Sequence, residues 1–439
     1  MALAAMIADW LRRPDSAPPG ETLLDRKAGD FIALAGRLAA PADDAEAKRL
    51  RGEAADALAA GRLADADKKL AQAELHAIGG STDLSTLPPA HRLLIGTHRA
   101  DRAALSFLRT TAESYREAAA RYGEASALIG LADVERSRAA ALDQARSLAR
   151  ISEDFGGREG YDAAVAALRR LLEGLDSLTD ISAYAGAQEA LAAALENLAG
   201  QTGEAKLRAE ALAHCRAGLE DLRRDQAPLL WRALKLRLGR LAVALGVAQK
   251  DDELLEEAIA TYAGVLAAWS RGDDEPRWLE AEHMISRARA TLGRRRNDLS
   301  LLERAFNGLN RVVRATDRSR APLHWAELQD QMGGVLAAMG ERYSEPVVIE
   351  EAIAAFGAAL EERRADIAPL LWARSLANQA EAMLQLARRN KDRGLAQKAL
   401  AQLMTATEAA RRTENGPVAA ELQKRLVAAG AAATRLIGG

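Results

Sequence analysis

Eight polar side chains, Arg237, Arg240, His283, Arg287, Asp330, Gln331, Asn378 and Glu381, stand five, six or nine residues after one of four tryptophans. Arg374 lies close by, two residues after the last of them. The tryptophans, Trp231, Trp278, Trp325 and Trp372, are 47 residues apart. On a helix such offsets share one face. Arginine forks and asparagine amides repeated along a face can hold a peptide main chain or a carboxylate, which makes these residues a candidate binding groove. The plainer reading is that they solvate an open surface.

Covalent and metal chemistry have less behind them. The six histidines are His76, His91, His98, His214, His283 and His324, and none belongs to a His-Glu-x-x-His or Cys/His pattern. His91 and His98 are seven apart and can share a helix face, but no third ligand accompanies them. The glycine-rich stretch Gly156-Gly157-Arg158-Glu159-Gly160 lacks the preceding strand that a phosphate loop needs and reads as a turn. Cys215 falls at an apolar helical position, where a buried, inert thiol is expected. Arg294-Arg295-Arg296 follows Gly293 at a helix end, where the dipole favours cations, and reads as a solvated cap. The expectation is no catalytic residue, no metal and no cofactor.

Composition narrows the class. Hydrophobic residues are 49% and charged residues 28% of the 439, which suits neither a disordered nor a membrane chain. Aromatics are only 4%, so alanine- and leucine-rich helices are favoured over sheets. Lys+Arg 60 against Asp+Glu 62 gives a net charge of −2, hence no global field to attract nucleic acid or an anionic membrane. The single cysteine fits a reducing compartment. Met1 to Trp10 has no basic residue ahead of its apolar run and is interrupted by Asp9, a poor leader. A cytoplasmic location is the expectation.

The elements that must position the groove come from the repeat. Trp231, Trp325 and Trp372 close Ala-Pro-Leu-x-Trp strings, Trp278 closes a weaker copy, and Tyr184 stands one period earlier. Leu238-Gly239 and Leu245-Gly246, then Met332-Gly333 and Met339-Gly340, continue a helical period, with Ser286 and Leu292-Gly293 between them. This is helix A, with proline in its first turn and the later glycine expected as its C-cap. Helix B carries Ala258, Ala305, Ala352 and Ala399, each followed four residues later by Tyr262, Leu309, Phe356 or Leu403. A small residue one turn before a bulky one suits two crossing helices. Recurrence at one position makes Tyr184 and the four tryptophans structural wedges rather than hot spots.

Five units run from about Tyr184, preceded by a divergent one over residues 128–175. Upstream, Asp43–Ala60 and Leu63–Ala77 form a helical hairpin, and Ala90–Tyr122 and Glu124–Ser152 are long amphipathic stretches joined near Gly123. The division expected is an arm with a proline-rich linker (1–40), divergent hairpins (41–127), the repeat array (128–416) and a capping helix (417–439).

The strings Glu257-Ala258-Ile259-Ala260-Thr261-Tyr262 and Glu351-Ala352-Ile353-Ala354-Ala355-Phe356, with Leu238-Gly239 and Met332-Gly333, resemble the tetratricopeptide-repeat superfamily. The period is a departure, 47 residues here against about 34 in the family. Similar long variants with Pro-Leu-x-Trp-Ala punctuation look like arrays of bacterial multidomain proteins. The resemblance implies an all-α, right-handed α-solenoid of helical hairpins, with an irregular helical N-terminal region and a capping C-terminal helix. It also implies a concave groove taking a protein or peptide partner, hence a non-enzymatic scaffold or adaptor. The alternatives are a regulatory sensor of a small ligand or signalling peptide, and a self-assembling module forming a homo-oligomer.

Overall fold

The computed structural model describes residues 21–40, 44–130, 132–343, 345–413 and 415–437. The expected helix within Met1–Trp10 and the linker Pro14–Gly20 lie outside them. The fold is all-α, a helical repeat solenoid in which consecutive helices are joined by short connectors. Two compact units divide the chain, Met1–Arg237 and Leu238–Gly439.

The first unit holds α1 (Glu21–Leu38), α2 (Ala45–Ala59), α3 (Leu63–Ile78), α4 (Pro89–Leu108), α5 (Ala112–Ile129), α6 (Val134–Phe155), α7 (Glu159–Glu173), α8 (Ile181–Thr202) and α9 (Ala205–Leu219). The boundary falls inside α10 (Pro228–Gln249). The second unit continues with α11 (Asp252–Ala268), α12 (Glu275–Arg296), α13 (Leu299–Ala315), α14 (Pro322–Gly340), α15 (Val347–Glu362), α16 (Pro369–Asn390), α17 (Arg393–Arg412) and α18 (Gly416–Ile437). There α12, α14 and α16 are the A helices, and each also touches the next A helix, with α18 closing the series on α16. Val418, Leu422, Ala429 and Ala433 of α18 are buried in one cluster with Ala373, Leu384 and Leu403, so α18 covers the last hairpin as a cap.

The hairpins close on glycine. A Cβ at Gly239 would stand 2.6 Å from the Tyr262 ring, and one at Gly333 2.9 Å from the Phe356 ring. Where the sequence has Ser286 instead, the glycine moves to the B helix: a Cβ at Gly308 would collide with the Ser286 hydroxyl at 2.0 Å. The small member of each pair is thus set by steric contact, because real Cβ atoms do not come so near.

The glycine fifteen residues after Trp231, Trp278 and Trp325 is not the expected C-cap. Gly246 and Gly293 lie within α10 and α12, and Gly340 ends α14. A Cβ there would meet Leu255 at 3.0 Å, Leu302 at 3.0 Å and Ile349 at 2.5 Å, so these glycines are a second close crossing. The true caps are left-handed residues, Gly203, Lys250, Asn297 and Lys391 (φ 75°, 60°, 61° and 54°), again 47 residues or multiples of 47 apart. Asp251, Asp298 and Asp392 follow directly and accept from backbone N–H groups at the start of helix B.

The N-terminal stretch also differs from expectation. The break lies at Arg109–Thr111, not at Gly123, which sits inside α5 against Gln144, with 2.6 Å left for a Cβ. Thr110 takes φ 58° and Thr111 forms a reciprocal capping box with Ser114, which ends one helix and starts the next. Gly156 and Gly157 (φ 80° and 79°) make the expected turn between α6 and α7.

Helix α1 docks through an unusual contact. Lys27 is 4% exposed, donates to the Phe107 carbonyl and lies 4.0 Å from the Phe107 ring centroid and 4.9 Å from that of Tyr115. Tyr115 in turn donates to Asp154 at 2.7 Å. Burial lowers the Lys27 pKa to about 7, with Asp30 and Asp154 opposing and Arg150 and Arg146 assisting.

The glycine crossing and the buried amine each set a measurable outcome. Gly333→Ala should lower the urea midpoint, a loss of about 1–3 kcal/mol from overpacking. Its neighbour Gly334, with nothing within 4 Å of its Cβ position, should accept alanine with no loss or a small gain. Equal effects of the two would contradict the crossing. For Lys27, the unfolded amine titrates near its ordinary value of 10.5, so between about 7 and 10.5 only the unfolded chain keeps the proton. Docking of α1 should therefore strengthen as pH rises through that window, by at most about 1.4 kcal/mol per pH unit. Amide exchange over residues 21–38, corrected for intrinsic rates, reads this, and Lys27→Met should flatten the dependence.

Candidate binding groove

The A helices bring eight of the nine sequence-predicted residues into links that mostly join one repeat to the next, Arg287 being the exception. Arg237 bonds Glu189 at 2.8 Å and also pairs with Glu196, entirely within the first unit. In the second unit Arg240 pairs with Glu280 at 3.2 Å, and the His283 Nε2 meets the Gln331 Oε1 at 2.9 Å. Gln331 donates to Glu327 at 3.0 Å. Asn378 donates to both Asp330 oxygens at 3.2 Å, while Arg425 of α18 donates to Asn378 at 2.8 Å and Glu381 at 2.7 Å. Arg374 lies 3.6 Å from Glu421. Most of these links span 44 to 48 residues, the period plus or minus a few, because side chains at one repeat position face their counterparts on the next A helix.

Five of the nine, Arg287, Asp330, Gln331, Asn378 and Glu381, line one open cavity of about 920 Å³ in the second unit. Arg294, Glu341 and Arg388 line it too, at a single repeat position 16 residues after each tryptophan. Among the described residues Arg287, Arg294 and Arg388 have no carboxylate within 4.0 Å; Arg287 reaches only the Met284 sulfur, at 3.5 Å. Burial lowers the Arg294 pKa, with Arg295 adding to it. Burial also holds the His283 imidazole below its ordinary range, despite the bond to Gln331. The cavity therefore mixes satisfied rungs with three uncompensated guanidiniums.

Beneath the rungs, Asp330 meets a buried cation. Arg363 is 5% exposed, donates to the Ser375 hydroxyl at 2.8 Å and lies 3.6 Å from Asp330. Sequence spacing does not single it out, because Arg363 belongs to the end of helix B and reaches the A face only through the fold.

The wedge positions are half-buried: Tyr184, Trp231, Trp278, Trp325 and Trp372 each open an A helix and keep part of the ring exposed. Trp372 packs on the terminal core, and the Arg318 guanidinium stands 4.4 Å from the Trp325 ring. Cys215 is buried. The basic triplet is more than the solvated cap expected. Arg295 donates to the Gly246 and Val247 carbonyls at 3.1 Å, and both Arg295 and Arg296 pair with Asp252 at 3.1 Å. Arg389 does the same for the Gly340 carbonyl, at 2.7 Å. These arginines bind carbonyls in the last turn of the preceding A helix. Among the described residues no three His, Cys, Asp or Glu side chains converge as a metal site, and no helix is long and apolar enough to cross a membrane.

No family model and no curated protein matches the chain. Among solved structures it is similar to a designed circular tandem repeat protein (14% identity, 94% of this chain and 98% of that one, TM-score 0.27). It is also similar to the apo form of the quorum sensor NprR from B. thuringiensis (12% identity, 91% and 98%, TM-score 0.37). A third is a human IFIT1 dimer with m7Gppp-AAAA (14% identity, 93% and 95%, TM-score 0.29). At such distances the likeness assigns no function.

Asp330 and Arg287 line the same cavity but differ in what they hold. Asp330→Ala should cost about 3 kcal/mol, because it strands the buried Arg363. Arg287→Ala should change stability by no more than about 0.5 kcal/mol. Urea unfolding of the two variants checks this, and equal stability would remove Asp330 as a structural rung.

Proposed function

We propose that the second unit is a non-enzymatic scaffold that holds an acidic segment of a partner protein along its A helices. The observation that carries the reading is the trio Arg287, Arg294 and Arg388, three cations on one cavity with no carboxylate of their own among the described residues. A partner carboxylate can take each of them without displacing an existing ion pair. Gln331 and Asn378, fixed by their neighbours on adjacent repeats, present amide groups to a main chain running past. Because the rungs pre-order these side chains, little conformational entropy is lost on the scaffold's side.

Affinity should fall with salt, as expected of steering by unpaired cations. The test is affinity capture from the native cell with the full chain, repeated with the Arg287→Ala, Arg294→Ala, Arg388→Ala triple variant. Removal of three charge-assisted hydrogen-bond donors should weaken capture of an acidic partner at least tenfold, roughly 1.4 kcal/mol or more, with unchanged helicity. The same partners retained by the triple variant would reject the reading. So would capture of nucleic acid in place of protein.

A further inference from the structure

The first unit encloses an open cavity of about 720 Å³ between α1, α2, α4, α5 and α6 that the groove reading does not use. Its floor is a buried polar cluster. Asp101, with 1% of its side chain exposed, accepts from Arg37 Nε at 3.0 Å and from Arg51 Nη1 at 2.8 Å. Arg51 also donates to the Arg37 carbonyl at 2.7 Å and stands 3.4 Å from His98 Nδ1. Two guanidiniums thus share one carboxylate, and Arg51 and Asp101 have their hydrogen-bonding groups engaged by each other and their neighbours.

Two groups on the same cavity are not engaged. Only Nε of Arg37 is used by a side chain, which leaves its terminal nitrogens as donors. Tyr122 is 5% exposed and lines the cavity, and its hydroxyl has no hydrogen-bond partner among the described residues. Both stand within electrostatic reach of each other. Around them the walls are hydrocarbon, chiefly Leu93, Leu94 and Ile129. Convergent unsatisfied polar groups at the foot of an apolar cavity of this size are the general features of a small-molecule site.

We propose that this cavity binds a small monocarboxylic acid with an apolar body, the carboxylate held by the Arg37 guanidinium and the Tyr122 hydroxyl and the hydrocarbon laid against Leu93, Leu94 and Ile129. A carboxylate fits because two guanidiniums, Arg37 and Arg51, meet at the floor and because a guanidinium edge and a hydroxyl together match its acceptor pair. Asp143 lines the same cavity, its carboxyl pushed upward by burial. It is placed to meet a second polar group, so the acid can be a simple one or an apolar amino acid whose ammonium faces Asp143.

The experiment is calorimetric titration of the full chain with 4-methylpentanoate, 3-phenylpropanoate, leucine and phenylalanine, each beside its primary amide, which lacks the carboxylate charge. Binding of an acid at least tenfold tighter than its amide is expected, the effect of one charge-assisted hydrogen bond. Tighter binding of the amino acid than of its deaminated counterpart would identify the amino acid as the source, and the reverse the simple acid; either supports the site. Tyr122→Phe, which removes a hydroxyl that bonds nothing, should weaken binding about fivefold without changing helicity. Arg37→Gln should weaken it at least tenfold, and if that variant unfolds because Asp101 is left short of a partner, Tyr122→Phe alone decides. The arginine triple variant of the second unit should bind the acid as the parent does, which separates this site from the groove. No binding by any probe at about 10 mM, amides equal to acids, or full affinity in Tyr122→Phe would overturn the proposal.

Discussion

The close crossing of helix A and helix B at a residue without a side chain fixes everything above it. Gly239 against Tyr262 and Gly333 against Phe356 let the two helices approach until ring carbon meets backbone. A second crossing, Gly246 on Leu255, Gly293 on Leu302 and Gly340 on Ile349, sets the other end of the hairpin. Two fixed points define the angle of one helix on the other. Because close crossings recur with the period from α10 to α14, with Ala380 and Ala387 at the same positions in α16, side chains at one repeat position come to face their counterparts. The rungs His283–Gln331, Asp330–Asn378 and Asn378–Arg425 are that register made visible.

The exchange of partners in the middle repeat shows that close approach, rather than glycine as such, is selected by the packing. Ser286 occupies the place of Gly239 and Gly333, and it meets Gly308 of helix B, the residue before Leu309, which stands at the Tyr262 and Phe356 position. Ser286 remains buried by bonding the Glu282 carbonyl at 2.8 Å, so its hydroxyl is satisfied within the helix. Glu282, itself 3% exposed, is matched by Arg311 across the hairpin. A polar contact thus stands where the neighbouring repeats have an aromatic one. Such substitution is tolerated only when each buried polar atom finds a partner.

The period, the helical class and the pairing of small with bulky residues are legible because they repeat along the chain and need no partner to be seen. The caps are not. A glycine after the last apolar residue looks like a C-cap, yet the left-handed residue is Lys250, Asn297 or Lys391, four residues further on. Lysine carries no sequence signal for that conformation and a lone asparagine only a weak one. The aspartate that follows each of them at 47-residue spacing does carry a signal, and could have been found. The break at Thr110 is hidden because its signal is a local capping box rather than glycine or proline. Of the groove, the face is readable but not the rungs. A link between residues 48 apart exists only once the register of neighbouring A helices is known.

Regularity and irregularity also leave different kinds of space. In the second unit equal repeats put polar residues opposite polar residues, so the cavity between A helices is lined by groups that mostly satisfy one another, and Arg287, Arg294 and Arg388 are left with no carboxylate within 4.0 Å among the described residues. In the first unit α1 packs on α2 and α4 with no counterpart elsewhere among the described residues, anchored by Leu34, Leu38 and the buried Lys27. No period matches polar to polar there. Arg37 and Arg51 converge on Asp101 from two helices, Tyr122 arrives from a third with its hydroxyl unmatched, and the remaining wall is hydrocarbon. An extended surface of alternating charge suits a chain lying along it, whereas an apolar cavity with a few polar groups at its foot suits a compact molecule. The same hairpin packing thus leaves two kinds of cavity, divided by whether the repeat is kept.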